Sequence, residues 1–170
     1  PNEVFEIIDR LGPAGEETVP LTEALDRVVN RDLTAPEDLP GFFRSTMDGY
    51  AVKAKSTFGA SEGLPALFEL TGEALMGRTA EGVVREGQAV KIPTGGMLPA
   101  GADSVVMKEY CHLLDETTIE MSRAVSPLEN VIGPADDFSR GAVFLKRGHR
   151  LRPQDVGVLA GFGVTEVPVF

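Results

Sequence analysis

Residues 45–52 read Ser-Thr-Met-Asp-Gly-Tyr-Ala-Val, and the character of the sequence changes at this stretch. Before it, apolar residues recur at helical spacing over residues 1–11, and Thr22 is a candidate N-cap for a short helix to Val28. After it, Gly-, Pro- and Asp-rich turns separate short apolar runs, which predict strands near 66–71, 89–92, 104–110 and 118–124. The stretch 45–52 therefore lies at a predicted domain junction.

The second half of the chain returns to a mixed pattern. Residues 114–118 separate two apolar runs and predict a hairpin. Pro153 stands at a favourable first helical position, for a helix that ends near Gly161. Three further strands are predicted outside the β-rich middle, at 31–35, 142–146 and 165–169.

A start and an end that both contain helix flank a middle block that is mostly β. This order predicts an α+β protein in which one domain is discontinuous. We place the discontinuous α/β domain at residues 1–50 and 140–170, and the inserted β-rich domain at residues 51–139.

Composition and charge narrow the possible partners. The 170 residues include 19 glycines and 12 prolines, an excess that favours turns and short strands over a helical bundle. The net charge of -10, without a run of Lys or Arg, excludes nucleic acid and anionic membranes as electrostatic partners. No apolar stretch is long enough to span a bilayer. Because Cys111 has no second cysteine to pair with, we expect a reducing, cytoplasmic compartment. The chain begins at Pro1 without Met and ends at Phe170 within a strand pattern, so we expect it to be cut from a longer protein.

Several common kinds of catalytic site are excluded by their missing residues. His112 and His149 have no Cys or His companions at metal-binding spacing, so we expect surface histidines and no zinc site. Residues 94–101 have glycines at the spacing of a phosphate-binding loop, but Ala102-Asp103 replaces the required Lys-Ser/Thr. Two interpretations of this loop remain: a plain turn, or a turn whose amides and Thr94 hydroxyl bind an anion or polar ligand.

Carboxylates occur at both predicted junctions. Asp48 lies at the first, and Asp136 and Asp137 lie at the second. If the middle block is an insertion, the junctions approach each other and these carboxylates could share a cleft suited to Mg²⁺. The alternative is that they are solvated loop residues.

Several motifs, taken in order, resemble one known family. Residues 45–52 are followed by Ile92-Pro93-Thr94-Gly95 and by Pro-Ala-Gly-Ala-Asp-Ser-Val-Val at 99–106. Supporting stretches are residues 19–25, 36–40, 137–141, 151–156 and 167–169. This series resembles the MoeA/gephyrin E-domain family, the molybdopterin molybdenumtransferases of molybdenum-cofactor biosynthesis.

The resemblance implies an enzyme that inserts molybdenum from molybdate into adenylylated molybdopterin, with release of AMP and assistance from Mg²⁺. It implies an elongated first domain, a homodimer with its active cleft between subunits, and a molybdopterin-adenylylating protein upstream. This chain resembles only the first two domains. The pterin-binding domain would follow Phe170, so we expect the fragment to be inactive alone.

Matching motifs carry functional residues over to this chain. The resemblance implies that Asp48 and Asp137 are catalytic and hold Mg²⁺, and that Thr94 with the amides of Gly95 and Gly96 binds an oxyanion or a pterin edge. Two other functions remain open. One is a non-catalytic dimerisation or scaffold module, and the other is the paralogue that handles tungsten.

Overall fold

The chain forms two compact units in a computed structural model, which describes residues 15–78 and 82–170. The first unit contains the described residues up to Asp38 together with Phe138–Phe170, and the second is Leu39–Asp137. The helix predicted over residues 1–11 lies outside the described residues. The described fold is α+β and mostly β, as the sequence predicts.

The first unit is built from two antiparallel strand pairs and a helix. Strand β1 (Glu17–Pro20) pairs with β12 (Glu166–Val169), and β2 (Leu33–Thr34) pairs with β11 (Val143–Leu145). Helix α1 (Pro153–Gly161) begins at the predicted proline. Their shared core consists of Val19, Ala24, Val29, Leu145, Leu151, Leu159, Val167 and Val169. In the described parts of the chain, no helix has the length and apolar character needed to cross a membrane.

The short helix predicted from Thr22 to Val28 is wrong. Only Leu21–Glu23 is helical, as a single 3₁₀ turn. Asp26 has φ of 65°, in the left-handed region that ends a helix, and its N–H donates to the carbonyl of Leu151 at 2.9 Å. The Asp26 amide, which a helix would need, is therefore bonded to a distant segment.

Helix α1 contains a glycine that the fold does not require. Gly157 is exposed, has no positive φ, and a Cβ built on it meets no atom within 4 Å. We expect Gly157→Ala to raise the free energy of unfolding by about 0.5–1 kcal/mol, because alanine loses less backbone entropy in a helix. Hydrogen exchange of the α1 amides measures this, and Ala160→Gly at another exposed position of α1 should have the opposite sign. A destabilising Gly157→Ala would contradict the prediction.

The second unit contains a curled sheet of six strands. Their order across the sheet is β7 (Ser104–Met107), β4 (Gly49–Val52), β6 (Gln88–Ile92), β5 (Ala66–Glu73), β9 (Thr118–Met121), β8 (Cys111–Leu113). Strands β5 and β6 are parallel, and all other neighbours are antiparallel. A separate pair joins β3 (Arg44–Ser45) to β10 (Val131–Ile132). The strands predicted near 66–71 and 89–92 and the hairpin at 114–118 are confirmed.

The single strand predicted over 104–110 is instead divided. Strand β7 ends at Met107, a 3₁₀ turn covers Lys108–Tyr110, and β8 follows. The break occurs where β4 begins, because Met107 is paired with Gly49 and β7 has no partner beyond that point. The N–H of Lys108 donates instead to the main-chain oxygen of Asp48 at 3.0 Å.

Apolar residues cover both faces of the sheet at strands β4, β6 and β7. One cluster includes Tyr50, Val52 and Val106, and the other includes Ala51 and Val105. Successive residues of a strand point to opposite faces, so both faces of β4 are buried.

The boundary between the units differs from the one placed on the sequence. The chain passes from one unit to the other after Asp38 and again after Asp137. The sequence pattern predicts these boundaries after residues 50 and 139. Strands β3 and β4 contribute to the first difference, because β3 pairs with β10, β4 is hydrogen-bonded on both sides within the six-stranded sheet, and both strands belong to the second unit.

Candidate functional site

Three chain segments meet at one end of the six-stranded sheet. Strand β4 is antiparallel to both β6 and β7, so the start of β4 lies beside the ends of its two neighbours. Asp48 directly precedes β4, Thr94 lies two residues after β6, and Lys108 directly follows β7. The topology thus brings together two motifs that are 46 residues apart in the sequence.

The Asp48 side chain binds both neighbouring segments. Its Oδ1 accepts hydrogen bonds from the Thr94 N–H and the Thr94 hydroxyl, each at 2.9 Å. Its Oδ2 forms an ion pair with Lys108 Nζ at 3.2 Å. These donors, the Thr94 amide first, lower the pKa of Asp48 to about 2. Asp48 is therefore ionised at neutral pH and acts only as a hydrogen-bond acceptor.

The first three backbone amides of the glycine-rich loop, residues 94–101, donate hydrogen bonds within the protein. The Thr94 N–H donates to Asp48, the Gly95 N–H donates to the Ser45 carbonyl at 2.8 Å, and the Gly96 N–H donates to the Pro93 carbonyl at 2.9 Å. Glycine is needed at 95 because φ is 81° there. The amides of Gly95 and Gly96, which the resemblance assigns to an oxyanion or a pterin edge, are thus donated within the protein, as is the amide of Thr94. The role of Gly95 and Gly96 in substrate binding stays a prediction.

Asp137 follows β10 in the chain and contacts Arg44, the first residue of β3. Its Oδ2 forms an ion pair with Arg44 Nη2 at 3.2 Å, and its N–H donates to the Leu39 carbonyl at 2.9 Å. The neighbouring Asp136 accepts a hydrogen bond from the Gly133 N–H at 2.7 Å. Among the described residues, Asp137 and Asp48 share no hydrogen-bond donor, but Arg44 links Asp137 to the segment that leads into Asp48.

Mg²⁺ does not fit the donor set as it stands. No group of three or more His, Cys, Asp or Glu side chains in residues 15–78 and 82–170 is arranged to hold a metal ion. Both oxygens of Asp48 already accept hydrogen bonds, and Asp137 faces a guanidinium. Mg²⁺ in proteins is usually held by one or two carboxylates together with waters and substrate phosphates. Here Asp48 and Asp137 are each paired with a cationic side chain instead. We therefore assign these residues no step through the metal.

Two cations of the site, Lys108 and Arg44, are not among the residues predicted from the sequence. Arg44 precedes the 45–52 motif directly, so its position was visible in the sequence. Lys108 carries no local signal, because its contact with Asp48 depends on the register between β4 and β7.

The remaining titratable candidates lie elsewhere. His112 is exposed, as expected, whereas His149 is half-buried and its Nε2 lies 2.7 Å from Asp155 Oδ2. Burial raises the pKa of the Cys111 thiol to about 12, which leaves it protonated and unreactive at neutral pH. A cavity of about 670 Å³ beyond the end of β5, lined by Glu73, Arg78, Arg85 and neighbours, includes neither Asp48 nor Thr94.

Comparison with known proteins identifies close relatives. Residues 2–163 match the family model described as the MoeA N-terminal region, domains I and II. The chain is 36% identical over 156 residues to the molybdopterin molybdenumtransferase of Bacillus subtilis, and 32% identical over 158 residues to that of Haemophilus influenzae. These alignments cover 90% and 93% of this chain but 36% and 38% of the relatives.

A solved structure supports the same relationship. The molybdopterin biosynthesis MoeA protein of Pyrococcus horikoshii superposes with a TM-score of 0.87 at 38% sequence identity. The match covers 91% of this chain and 41% of that one. The chain thus spans somewhat more than a third of the length of the relatives that it matches.

Proposed function

The chain belongs to the family of MoeA N-terminal regions, domains I and II, and from that premise we propose that it is part of an enzyme that inserts molybdenum into adenylylated molybdopterin. Molybdate and the adenylylated pterin are the substrates, and AMP is released. One observation of this chain carries the proposal: the Asp48 carboxylate binds Thr94, which joins two of the motifs that resemble the family at one end of the sheet.

The Thr94 hydroxyl favours one of the two ligands considered from the sequence. Its proton is directed to Asp48, so its oxygen retains only acceptor capacity. An acceptor is suited to an N–H group on a pterin edge and is poorly suited to an oxyanion. We therefore assign Thr94 to recognition of the pterin and Asp48 to orienting the Thr94 hydroxyl.

Arg44 supplies donors suited to an anion. The guanidinium has five N–H donors, and Asp137 fixes its orientation through one contact. A phosphate of the adenylyl group is the anion in the proposed substrate, and a guanidinium binds such a group through two oxygens. In this proposal Asp137 positions Arg44 rather than holding a metal.

The other parts of the proposal concern the whole protein. They are a homodimer with its cleft between subunits, a cytoplasmic location, and an upstream protein that adenylylates molybdopterin. Mg²⁺ belongs to the proposed overall reaction, and none of the residues described above is assigned to it.

The proposal predicts a loss of activity on removal of the Asp48 carboxylate. We expect Asp48→Ala in the full-length gene product to lower molybdate-dependent AMP release at least about tenfold, because Thr94 loses the acceptor that orients its hydroxyl. Asp115→Ala is the matched control: Asp115 is another exposed aspartate of the second unit that accepts bonds from threonines, at a hairpin away from the site. Equal rates in wild type and Asp48→Ala, with unchanged folding, would remove Asp48 from the proposal.

The same assay separates the alternative functions. A scaffold module would release no AMP in its wild-type form and would not complement a strain that lacks molybdenum insertion. A tungsten-handling paralogue would prefer tungstate when the two oxyanions compete. Molybdate-dependent AMP release and complementation are the results that support the proposed enzyme.

A further inference from the structure

Lys108 contacts Asp48 through both its backbone and its side chain. The Lys108 N–H donates to the main-chain oxygen of Asp48 at 3.0 Å, and its Nζ lies 3.2 Å from Asp48 Oδ2. The first contact fixes where the lysine side chain starts. The second directs its charge to the carboxylate oxygen that Thr94 does not use.

The two carboxylate oxygens of Asp48 consequently bind different partners. Oδ1 accepts both bonds from Thr94, and Oδ2 accepts the ammonium. The Asp48 side chain is about half exposed, at 51%, so packing does not restrict its rotation strongly. Without a donor on Oδ2, the carboxylate is free to turn toward water and away from Thr94.

We propose that Lys108 is a positioning residue, whose ammonium holds the Asp48 carboxylate in the orientation that binds Thr94 and thereby fixes the glycine-rich loop. The effect of Lys108 on the orientation of the loop is independent of the proposed function. Only its consequence for substrate binding rests on the proposed function.

The solvent exposure of the Lys108–Asp48 ion pair limits how strongly Lys108 restrains the Asp48 carboxylate. The Lys108 and Asp48 side chains are 59% and 51% exposed, and solvent weakens such ion pairs. We therefore expect a shift in the loop equilibrium of about two- to fivefold and no loss of folding. Raising the ionic strength to about 1 M, where the Debye length is about 3 Å, should reduce the shift.

Hydrogen exchange of the Thr94 amide on this chain, measured by NMR, tests the inference without any substrate. Lys108→Met should raise the exchange rate about two- to fivefold, because the methionine retains length but has no charge. Lys91→Met is the matched control: Lys91 pairs with Glu73 at 2.9 Å in the same sheet, with side-chain exposures of 56% and 51%. It should leave Thr94 exchange unchanged.

Two further variants separate positioning from general stability. Lys108→Arg should restore slow exchange, because a guanidinium can also donate to Oδ2. In an Asp48→Asn background, Lys108→Met should have no additional effect, since the charge that Lys108 holds is absent. The inference is overturned if Thr94 exchange is the same in Lys108→Met and wild type, or if Lys91→Met raises it equally.

The consequence for substrate is measured separately in the full-length gene product. There we expect Lys108→Met to raise KM for adenylylated molybdopterin about two- to fivefold with kcat little changed, since loop orientation affects binding. Faster exchange with an unchanged KM would keep the positioning role and contradict the pterin assignment of Thr94. An absence of AMP release in wild type would instead contradict the proposed function alone.

Discussion

Gly49→Ala is expected to prevent the second unit from folding. A Cβ at this position would lie 2.1 Å from the carbonyl oxygen of Val106 and 2.9 Å from its carbonyl carbon. These are backbone atoms, so no side-chain rotation removes the overlap. Strands β4 and β7 would have to separate, which breaks their pairing from Gly49 to Val52. We expect a loss of more than about 4 kcal/mol in the free energy of unfolding.

Tyrosine fluorescence in a urea titration measures this effect. The chain has no tryptophan, and its two tyrosines, Tyr50 and Tyr110, both lie in the second unit. Gly72→Ala is the control in the same sheet, because a Cβ on Gly72 in β5 meets no atom within 4 Å. The control should change the free energy of unfolding by less than about 0.5 kcal/mol. A Gly49→Ala variant with the wild-type urea midpoint would show that the two strands can separate at little cost.

Two adjacent residues of the 45–52 motif, Asp48 and Gly49, therefore have different roles. Gly49 allows β4 to approach β7 closely, and that approach places Asp48 beside Lys108. Asp48 then binds Thr94. The glycine is needed for the fold and the aspartate for the site, although the two residues are adjacent in the sequence. A substitution at Gly49 that lowers activity therefore reports on the sheet and not on chemistry.

Parts of this fold follow from local sequence patterns, and other parts do not. Strands β5 and β6 are visible as apolar runs bounded by turn residues, and helix α1 is marked by Pro153. Strand β4 was missed because all four of its residues are buried, so it lacks the alternation of a half-exposed strand. Its inclusion in the sheet, together with the pairing of β3 to β10, places residues 44–52 in the second unit, and the unit begins after Asp38.

The candidate site was only partly predictable for a related reason. Asp48 and Thr94 could be selected from their motifs, but their partners depend on which strands lie side by side. The ion pair between Asp48 and Lys108 exists because β7 ends where β4 begins, and no local pattern encodes that register. The hydrogen bond of the Gly95 N–H depends on distant segments in the same way, since its acceptor, the Ser45 carbonyl, is in the 45–52 motif.

The buried carboxylate of Asp155 makes a large contribution to the stability of the first unit. Asp155 is only 8% exposed, and its oxygens accept from the Arg152 backbone N–H at 2.9 Å and the Arg152 side chain at 3.0 and 3.2 Å. Its Oδ2 also lies 2.7 Å from His149 Nε2. The Arg152 side chain is the main reason that the pKa of Asp155 is well below its usual range. The Asp155 carboxylate therefore caps the first turn of helix α1 and links this turn to His149 in the preceding segment.

We expect Asp155→Asn to lower the free energy of unfolding of the first unit by about 1–3 kcal/mol at pH 7, measured by hydrogen exchange of the buried Leu159 amide in α1. A pKa that is lower in the folded chain adds stability above the unfolded value of about 3.9. That stability decreases as the pH falls from about 4 toward the folded pKa, so the difference between wild type and Asp155→Asn should narrow there. Asp26→Asn is the control, because the Asp26–Arg150 pair is 66% and 68% exposed and asparagine tolerates the left-handed backbone. It should cost less than about 0.5 kcal/mol at pH 7. A difference between wild type and Asp155→Asn that stays constant down to pH of about 3 would show that the Asp155 charge does not stabilise α1.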